Sequence, residues 1–397
     1  MSGPTEMTRS GSVQGLAAVA LAIVAAILPV FLLGSLSIEI RAELGYGETA
    51  GGLVLAGFFA SSAIVSSRIG RLIDRVGPRL GFTVSLSGVV VAQLLIAGLV
   101  RHPALLAAVA AVAGVCNATA QLSANVFVAR DMPLHRQGVG FAVKQSAMPG
   151  AALVAGLTLP TVALTVGWKW VFVLSSVLAL VALVTVRGRV PAEASRATRV
   201  DEGRVEEGSA PLGVLALLAV AAAFSTAAAI TLGGFFVESA IDAGIEPGQA
   251  GLAFAAGSLI SVIVRMAVGA AADRRPGNLL GVVAVMIALG ALTSALFTWR
   301  NPVVQIIGVP LAFGAGWAWP GLFNLSIVRA SPDFPGRATG ITQTGTYVGG
   351  AVGPILFGVI AETTGYAAAW WVAAALGLGA AGAVLAGRAA LRHRSTG

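Results

Sequence analysis

The sequence repeats a set of polar residues at a fixed separation of 199 positions, although most of the chain is apolar. The pairs, each 199 residues apart, are Glu39 and Glu238, Gly70 and Gly269, Asp74 and Asp273, Arg75 and Arg274, Asn125 and Asn324, and Arg130 and Arg329. The units of solenoid proteins run to roughly 50 residues, so this repeat is too long for a solenoid. We therefore predict two halves that share one fold.

The composition indicates that this fold lies in a membrane. Hydrophobic residues make up 57% of the 397 residues and charged residues only 11%, whereas soluble proteins carry about 25% charged residues. Apolar stretches of about 20 residues, long enough to cross a bilayer, recur along the chain. We place twelve spans at about 13–35, 49–69, 80–100, 104–126, 138–160, 168–187, 212–234, 249–271, 278–298, 303–325, 340–361 and 366–387. The predicted fold class is all-α integral membrane, with two pseudo-symmetric six-helix bundles.

The basic residues are distributed unevenly between the two sides of these predicted spans. If the N-terminus lies inside, most of the 25 Lys and Arg residues fall on the inner side, and the outer loops carry only Arg41, Arg101, Lys169 and Arg300. This bias predicts that both termini are cytoplasmic. The net charge of +8 then reflects orientation and contact with the lipid bilayer, and no nucleic-acid partner is expected. The excess of Arg over Lys, with abundant Ala and Gly, favours a bacterial cytoplasmic membrane.

One polar stretch interrupts the apolar pattern midway along the chain. Residues 188–211 carry charges of both signs and have too little apolar surface to fold alone. We interpret this stretch as a cytoplasmic linker between an N-terminal bundle, residues 1–187, and a C-terminal bundle, residues 212–397. A solvated tether with no further role would also explain it.

A short motif follows the second predicted span and recurs after the eighth. Residues 70–79 read GRLIDRVGPR, and a weaker copy with one extra residue before its last glycine covers 269–277. The motif resembles the G-x-x-x-D-R-x-G-x-R signature loop of the major facilitator superfamily. The twelve spans and the central loop extend this resemblance over the whole chain. The resemblance implies transport by alternating access, with no enzymatic activity.

The residue types of the motif suit a gate on the inner side of a carrier. Gly70 allows two helices to approach closely, and Asp74 can accept hydrogen bonds from the N-terminus of a neighbouring helix. Arg75 and Arg79 can pair with acids or phosphates in the headgroup region. In the resembled family this loop acts as an inner gate, although a topology signal alone would also explain the charges. The resemblance extends the gating role to Gly269, Asp273 and Arg274.

Two cations lie inside predicted spans, at Lys144 in the fifth and Arg265 in the eighth. Ionisable groups there cost roughly 2.5–3.5 kcal/mol each and are functional candidates. Both lie at the same predicted depth, and the resembled fold implies that their helices face each other across a cavity. Arg265 is also placed like the substrate arginine of nitrate/nitrite and organic-anion porters. The alternatives are that Lys144 reaches the membrane surface and that Arg265 braces the gate loop.

Other polar and aromatic residues fall near the predicted depth of these cations. The candidate substrate-binding residues, besides the two cations, are Asn117, Gln121, Trp317, Trp319, Gln343 and Tyr347. Amide side chains could orient an anion, and a tryptophan pair suggests a substrate with an apolar portion. Hydrogen bonding between helices and ordinary packing are the alternative explanations.

The sequence thus favours a secondary carrier for a small, carboxylate-like organic anion, such as a symporter. The alternative is a proton-coupled antiporter that exports drugs or metabolites. The fourth predicted span lacks the arginine of the R-x-x-x-G pattern seen in many proton-coupled carriers, and in the fifth span the antiporter pattern with its Gly-Pro pair is replaced by Met148-Pro149-Gly150. Both features count against the antiporter. We expect a monomer with no cofactor and no metal site.

Overall fold

A computed structural model describes residues 4–46, 48–191, 210–275 and 277–395. The described part of the chain is helical throughout and contains no strand. Most of the predicted linker, residues 192–209, lies outside the described residues.

Within each half of the sequence, the helices follow one another with short connections. In the first half they are α1 (Pro4–Ser35), α2 (Ser37–Leu44), α3 (Glu48–Val76), α4 (Pro78–Gly98), α5 (Pro103–Asp131), α6 (Gln137–Thr158), α7 (Leu164–Val166) and α8 (Trp168–Arg189). In the second half they are α9 (Leu212–Asp242), α10 (Pro247–Arg274), α11 (Leu279–Phe297), α12 (Pro302–Leu311), α13 (Pro320–Ala330), α14 (Pro335–Thr364) and α15 (Tyr366–Ser395).

Eleven helical segments within the described residues are long and apolar enough to cross a membrane. The predicted fifth span, 138–160, corresponds to α6 and is not among these eleven. Lys144, Gln145 and Ser146 lie near the middle of α6 and lower its mean hydropathy. The all-α membrane fold is confirmed.

Contacts divide the chain into two compact units. The first comprises Met1–Leu134, Val143–Gly208 and Pro332–Gly340. Its apolar core includes Phe58 of α3 and Phe172 of α8, both fully buried. The short segment 332–340, which contains the beginning of α14, therefore packs with helices of the first half of the sequence.

The second unit comprises His135–Ala142, Ser209–Ser331 and Ile341–Gly397. Its aromatic core brings together Phe236, Phe297, Phe313 and Trp370, all fully buried. Neighbouring rings in this group meet mostly edge to face, an arrangement favoured by the ring quadrupoles. The beginning of α6 belongs to this unit, which mirrors the assignment of the beginning of α14 to the first unit.

The predicted tenth span, 303–325, is broken within the second unit. Helix α12 passes into a π-helix at Ala312–Gly316, and α13 begins only at Pro320. Residues 317–319 form a turn, since Pro320 lacks an amide hydrogen to continue the helical hydrogen bonds. The break makes the backbone of the turn available to side chains from other helices.

Candidate functional site

The Asp74 carboxylate at the end of α3 binds the N-terminus of α14. The amide of Gly336 donates to Asp74 Oδ1 at 3.0 Å, and the amide of Arg337 donates to Asp74 Oδ2 at 2.7 Å. The first amides of a helix have no partner within the helix and attract an anion. Arg130 of α5 forms an ion pair with the same carboxylate at 2.9 Å and donates to the Asp74 carbonyl at 3.0 Å. Asp74 therefore makes the helix-terminus contact that the motif predicts.

Gly70 lies one turn before Asp74, where α3 touches α14. A Cβ atom at Gly70 would lie 2.1 Å from the carbonyl oxygen of Gly336, and one at Gly336 would lie 2.5 Å from that of Gly70. No side chain fits either position unless the backbones separate. The close approach that the motif predicts for Gly70 is thus observed, and its partner is a second glycine.

The second copy of the motif repeats this arrangement within the second unit. The amides of Gly138 and Val139, at the beginning of α6, donate to the Asp273 carboxylate at 2.6 and 2.9 Å. A Cβ atom at Gly269 would lie 2.5 Å from the Gly138 carbonyl oxygen. Arg329, which repeats Arg130, lies 3.9 Å from Asp273. The repeat in the sequence therefore corresponds to a repeated three-dimensional contact.

The Lys144 side chain is 1% exposed on α6 in the first unit. Its Nζ donates to Asn125 Oδ1 of α5 at 2.9 Å. No carboxylate of the described residues forms an ion pair with it. Asn125 is fully buried, and its Nδ2 has no hydrogen-bond acceptor among the described residues. A buried cation and a buried amide donor therefore lie next to each other.

The Arg265 side chain is 5% exposed on α10 in the second unit. One guanidinium nitrogen donates at 2.6 Å to the carbonyl of Trp317, in the turn between the π-helix and α13. The guanidinium also lies 5.8 Å from the centre of the Trp317 ring, a cation–π distance. The broken helix thus supplies both a backbone acceptor and an aromatic face for Arg265.

The sequence of this chain matches the model of a known protein family. The model of the Major Facilitator Superfamily matches residues 13–309 and again 216–396. The chain belongs to the major facilitator superfamily. It is therefore a multi-pass membrane protein and a secondary transporter rather than an enzyme. A comparison with curated proteins gave no match.

Solved structures of other transporters share this major facilitator fold. The human organic anion transporter MFSD10 (TETRAN) is 19% identical, with a TM-score of 0.74 over 96% of this chain and 100% of that one. The transporter FucP, in the outward conformation, is 14% identical, with a TM-score of 0.71 over 95% of this chain and 99% of that one. At these identities the likeness concerns the fold alone.

The structure of this superfamily member distributes the remaining predicted site residues between its two units. Asn117 and Gln121 are buried on α5 in the first unit. Gln343 and Tyr347 are buried on α14 in the second unit. Trp319 is 2% exposed, and its ring packs edge to face on Phe323 at 5.5 Å. Trp317, the other member of the tryptophan pair, lies beside Arg265, and the roles of all six residues in binding stay predictions.

The predicted gate arginines occupy different environments in this transporter. Arg75 and Arg274 are exposed, and Arg79 is half-buried. The ion pair to Asp74 comes instead from Arg130, 56 residues along the chain. The recurrence of Arg130 as Arg329 was the sequence signal for this role. Their distance from the motif in the sequence concealed the contact.

The structure adds two further polar groups near the buried cations. Asn125, which the sequence repeats as Asn324, is the partner of Lys144. Ser261 lies one turn before Arg265 on α10, 1% exposed, and its hydroxyl has no partner among the described residues. A serine in an apolar helix gives no signal by itself. As for metals, no cluster of three or more His, Cys, Asp or Glu side chains occurs in the described ranges.

Proposed function

We propose that this transporter carries a small organic anion by alternating access, with Lys144 and Arg265 neutralising the substrate. The observation that carries the proposal is the environment of Lys144. Its buried ammonium donates to a neutral amide, and that amide keeps a buried donor of its own without an acceptor. A buried charge without an opposite charge is strongly unfavourable. A carboxylate next to Lys144 and Asn125 would satisfy both groups.

The electrostatic gain from an anion exceeds the cost of holding either cation in the membrane. Two opposite charges about 4 Å apart attract by roughly 4 kcal/mol at an effective dielectric constant of 20. The cost of a cation in a membrane helix is about 2.5–3.5 kcal/mol on the insertion scale. An anionic substrate therefore offsets what the empty protein loses by burying each charge.

The surroundings of Arg265 favour a substrate that has an apolar portion next to its anionic group. The guanidinium can form two parallel hydrogen bonds with a carboxylate, and the Trp317 carbonyl helps to hold it in one orientation. The Trp317 ring lies half-buried beside it and offers an apolar face. We assign orienting roles to Gln343, Asn117 and Gln121, and contact with the apolar portion to Trp317, Trp319 and Tyr347. The similarity of Arg265 to the substrate arginine of nitrate/nitrite and organic-anion porters belongs to the same proposal.

One solved structure of the same fold is named for the substrate class proposed for this protein. MFSD10 is named an organic anion transporter. Because MFSD10 is only 19% identical to this chain, its name does not show the substrate of this protein, and the proposal rests on Lys144 and Arg265.

A thermal-shift screen of the purified protein against organic and inorganic anions tests the proposal, since a bound ligand raises stability by mass action. Anions found in the screen are then assayed for uptake into proteoliposomes. We expect Lys144→Gln and Arg265→Gln each to weaken binding by about tenfold or more. The double variant tests whether both cations bind one anion, because its loss is then smaller than the product of the single losses.

Two matched variants control for the loss of a charge. Lys169→Gln removes the only other lysine, which pairs with Glu43 at the surface, and Arg300→Gln removes an exposed arginine that pairs with Asp242. Both should leave anion binding unchanged. The proposal would be refuted if Lys144→Gln and Arg265→Gln both transported every anionic substrate at the wild-type rate.

We further propose a bacterial cytoplasmic membrane as its location, with both termini in the cytoplasm and a monomeric carrier of two bundles, 1–187 and 212–397. The bias of basic residues supports this orientation. A C-terminal fusion to an enzyme that is active only in the periplasm should be inactive. An active fusion would show that the C-terminus lies outside the cytoplasm and would contradict the proposed orientation.

A further inference from the structure

The second unit contains a cavity of about 610 Å³ where α11 begins and where α13 and α15 end. Three arginines line it, Arg329 of α13 and Arg388 and Arg392 of α15. Its apolar wall includes Leu279, Leu280 and Leu391, and no Asp or Glu is among the described residues that line it. The cavity therefore has a net positive charge beside an apolar wall.

Arg329 connects this cavity to the second gate motif. Its repeat partner Arg130 closes on Asp74 at 2.9 Å, whereas Arg329 lies 3.9 Å from Asp273. The two arginines have the same place in the repeat, and Arg329 both pairs with its aspartate and lines the cavity described above.

We propose that this cavity binds a phosphate group that carries an organic portion, either a lipid headgroup or a soluble phosphate ester. Guanidinium groups match the oxygens of a phosphate through paired hydrogen bonds. The cavity is far larger than a phosphate ion, and its leucines fit the glycerol or carbon chain of an ester. This site is independent of the transport substrate proposed above.

The proposal is tested on the full-length protein, purified in detergent and stripped of lipid. Isothermal titration calorimetry measures the binding of two probes. Inorganic phosphate represents a soluble ligand, and phosphatidylglycerol in mixed micelles represents a lipid headgroup. Phosphatidylcholine serves as the zwitterionic control. The test variant is Arg388→Gln/Arg392→Gln, which leaves Arg329 and its contact with Asp273 intact. The matched control is Arg71→Gln/Arg275→Gln, which removes two exposed arginines that do not line the cavity.

We expect the test variant to bind the ligand roughly 30-fold more weakly than wild type, as two lost arginine contacts at a lipid surface imply. The control variant should bind like wild type. Arg388→Lys/Arg392→Lys keeps the charge and should show an intermediate loss, which separates ligand binding from misfolding. Binding of phosphatidylglycerol alone identifies a lipid site, and binding of phosphate that phosphatidylglycerol does not displace identifies a soluble ligand. The proposal is overturned if neither probe binds, or if the test variant binds as well as wild type.

Discussion

The carboxylate of Asp74 accepts a hydrogen bond at 3.0 Å from the backbone amide of Gly336, which lies 262 residues further along the chain. Asp273 is bound in the same way by the amide of Gly138, 135 residues earlier, at 2.6 Å. Each aspartate thus caps a helix that begins in the other half of the sequence. The two copies of the motif therefore have the same role, because each copy supplies one carboxylate to the N-terminus of one helix.

Replacement of Asp74 by Asn should destabilise the protein. Asn retains one acceptor for the α14 amides but loses the charge that Arg130 and the helix N-terminus require. We expect a loss of about 1–3 kcal/mol in the free energy of unfolding, seen as a lower melting temperature in thermal unfolding. Asp242→Asn, which alters an exposed pair with Arg300, is the control and should cost little. Equal losses in the two variants would contradict the capping role.

The two repeated arginines should differ in their contribution to stability. The ion pair between Arg130 and Asp74 is 2.9 Å long, whereas the one between Arg329 and Asp273 is 3.9 Å long. Arg130→Gln should therefore lower the free energy of unfolding by about 1.5–3 kcal/mol, and Arg329→Gln by less than about 1 kcal/mol. Thermal unfolding of both variants side by side gives the comparison. A larger loss for Arg329→Gln would show that the distances do not rank these ion pairs.

Gly70→Ala should disrupt the contact between α3 and α14. The new methyl group would lie 2.1 Å from the Gly336 carbonyl oxygen, so the helices must separate, and overpacking of this kind costs about 1–3 kcal/mol. Gly57→Ala, on the same helix, meets nothing within 4 Å and should stabilise α3 by about 0.5–1 kcal/mol. Melting temperatures that shift in opposite directions would support the prediction. A neutral Gly70→Ala would argue against it.

The Lys144 and Asn125 variants should rank in an order that depends on which group is left buried. Asn125→Leu leaves the ammonium without its acceptor, which costs about 3–5 kcal/mol by analogy with a broken buried ion pair. Lys144→Met leaves only a neutral amide unsatisfied and should cost about 1–3 kcal/mol. Thermal unfolding without ligand measures both. If Lys144→Met is the less stable variant, the cost of burying the Lys144 ammonium does not determine the order, and the prediction is wrong.

Stability at acid pH should depend on Glu43, which lies outside the predicted spans. Lys169 and the Trp168 indole nitrogen donate to its carboxylate, and the hydrogen bond from Lys169 is the main cause that lowers the pKa of Glu43. A lowered pKa means that this contribution is fully present above the ordinary value of 4.5 and is lost as the pH falls through the folded value. Because the Glu43 side chain is 43% exposed, the contribution should be below about 1 kcal/mol.

The measurement is the melting temperature of wild type and Glu43→Gln from neutral pH to pH values below this range. The variant should be less stable at neutral pH, and the difference should shrink as the medium becomes acidic. Glu362→Gln, an exposed glutamate on α14, controls for the loss of one negative charge. A difference that grows towards acid pH would reverse the assigned sign.

The contacts of Gly70 and Asp74 could be predicted in kind because the residue types and their spacing in the sequence indicate what they can bind. Asp74 follows Gly70 by four residues, so both lie on one face of α3, and an anion beside a close-packing glycine can bind the N-terminus of the helix that packs there. Which N-terminus could not be read, since α14 begins 262 residues away. Trp317 and Trp319 were predicted as a pair because they are two residues apart, whereas in the structure the Trp317 ring lies beside Arg265 and the Trp319 ring packs on Phe323.

By itself, the sequence determined the membrane fold, the repeat, the two acids of the motif and the presence of two buried cations. Each of these follows from the cost of placing polar groups in an apolar chain, which depends on residue type and spacing. Only the tertiary structure decided that Asn125 holds Lys144, that the turn at Trp317 holds Arg265 and that Arg329 lines a basic cavity. These contacts join residues far apart in sequence, and their partners are chosen by how the helices pack and where they break.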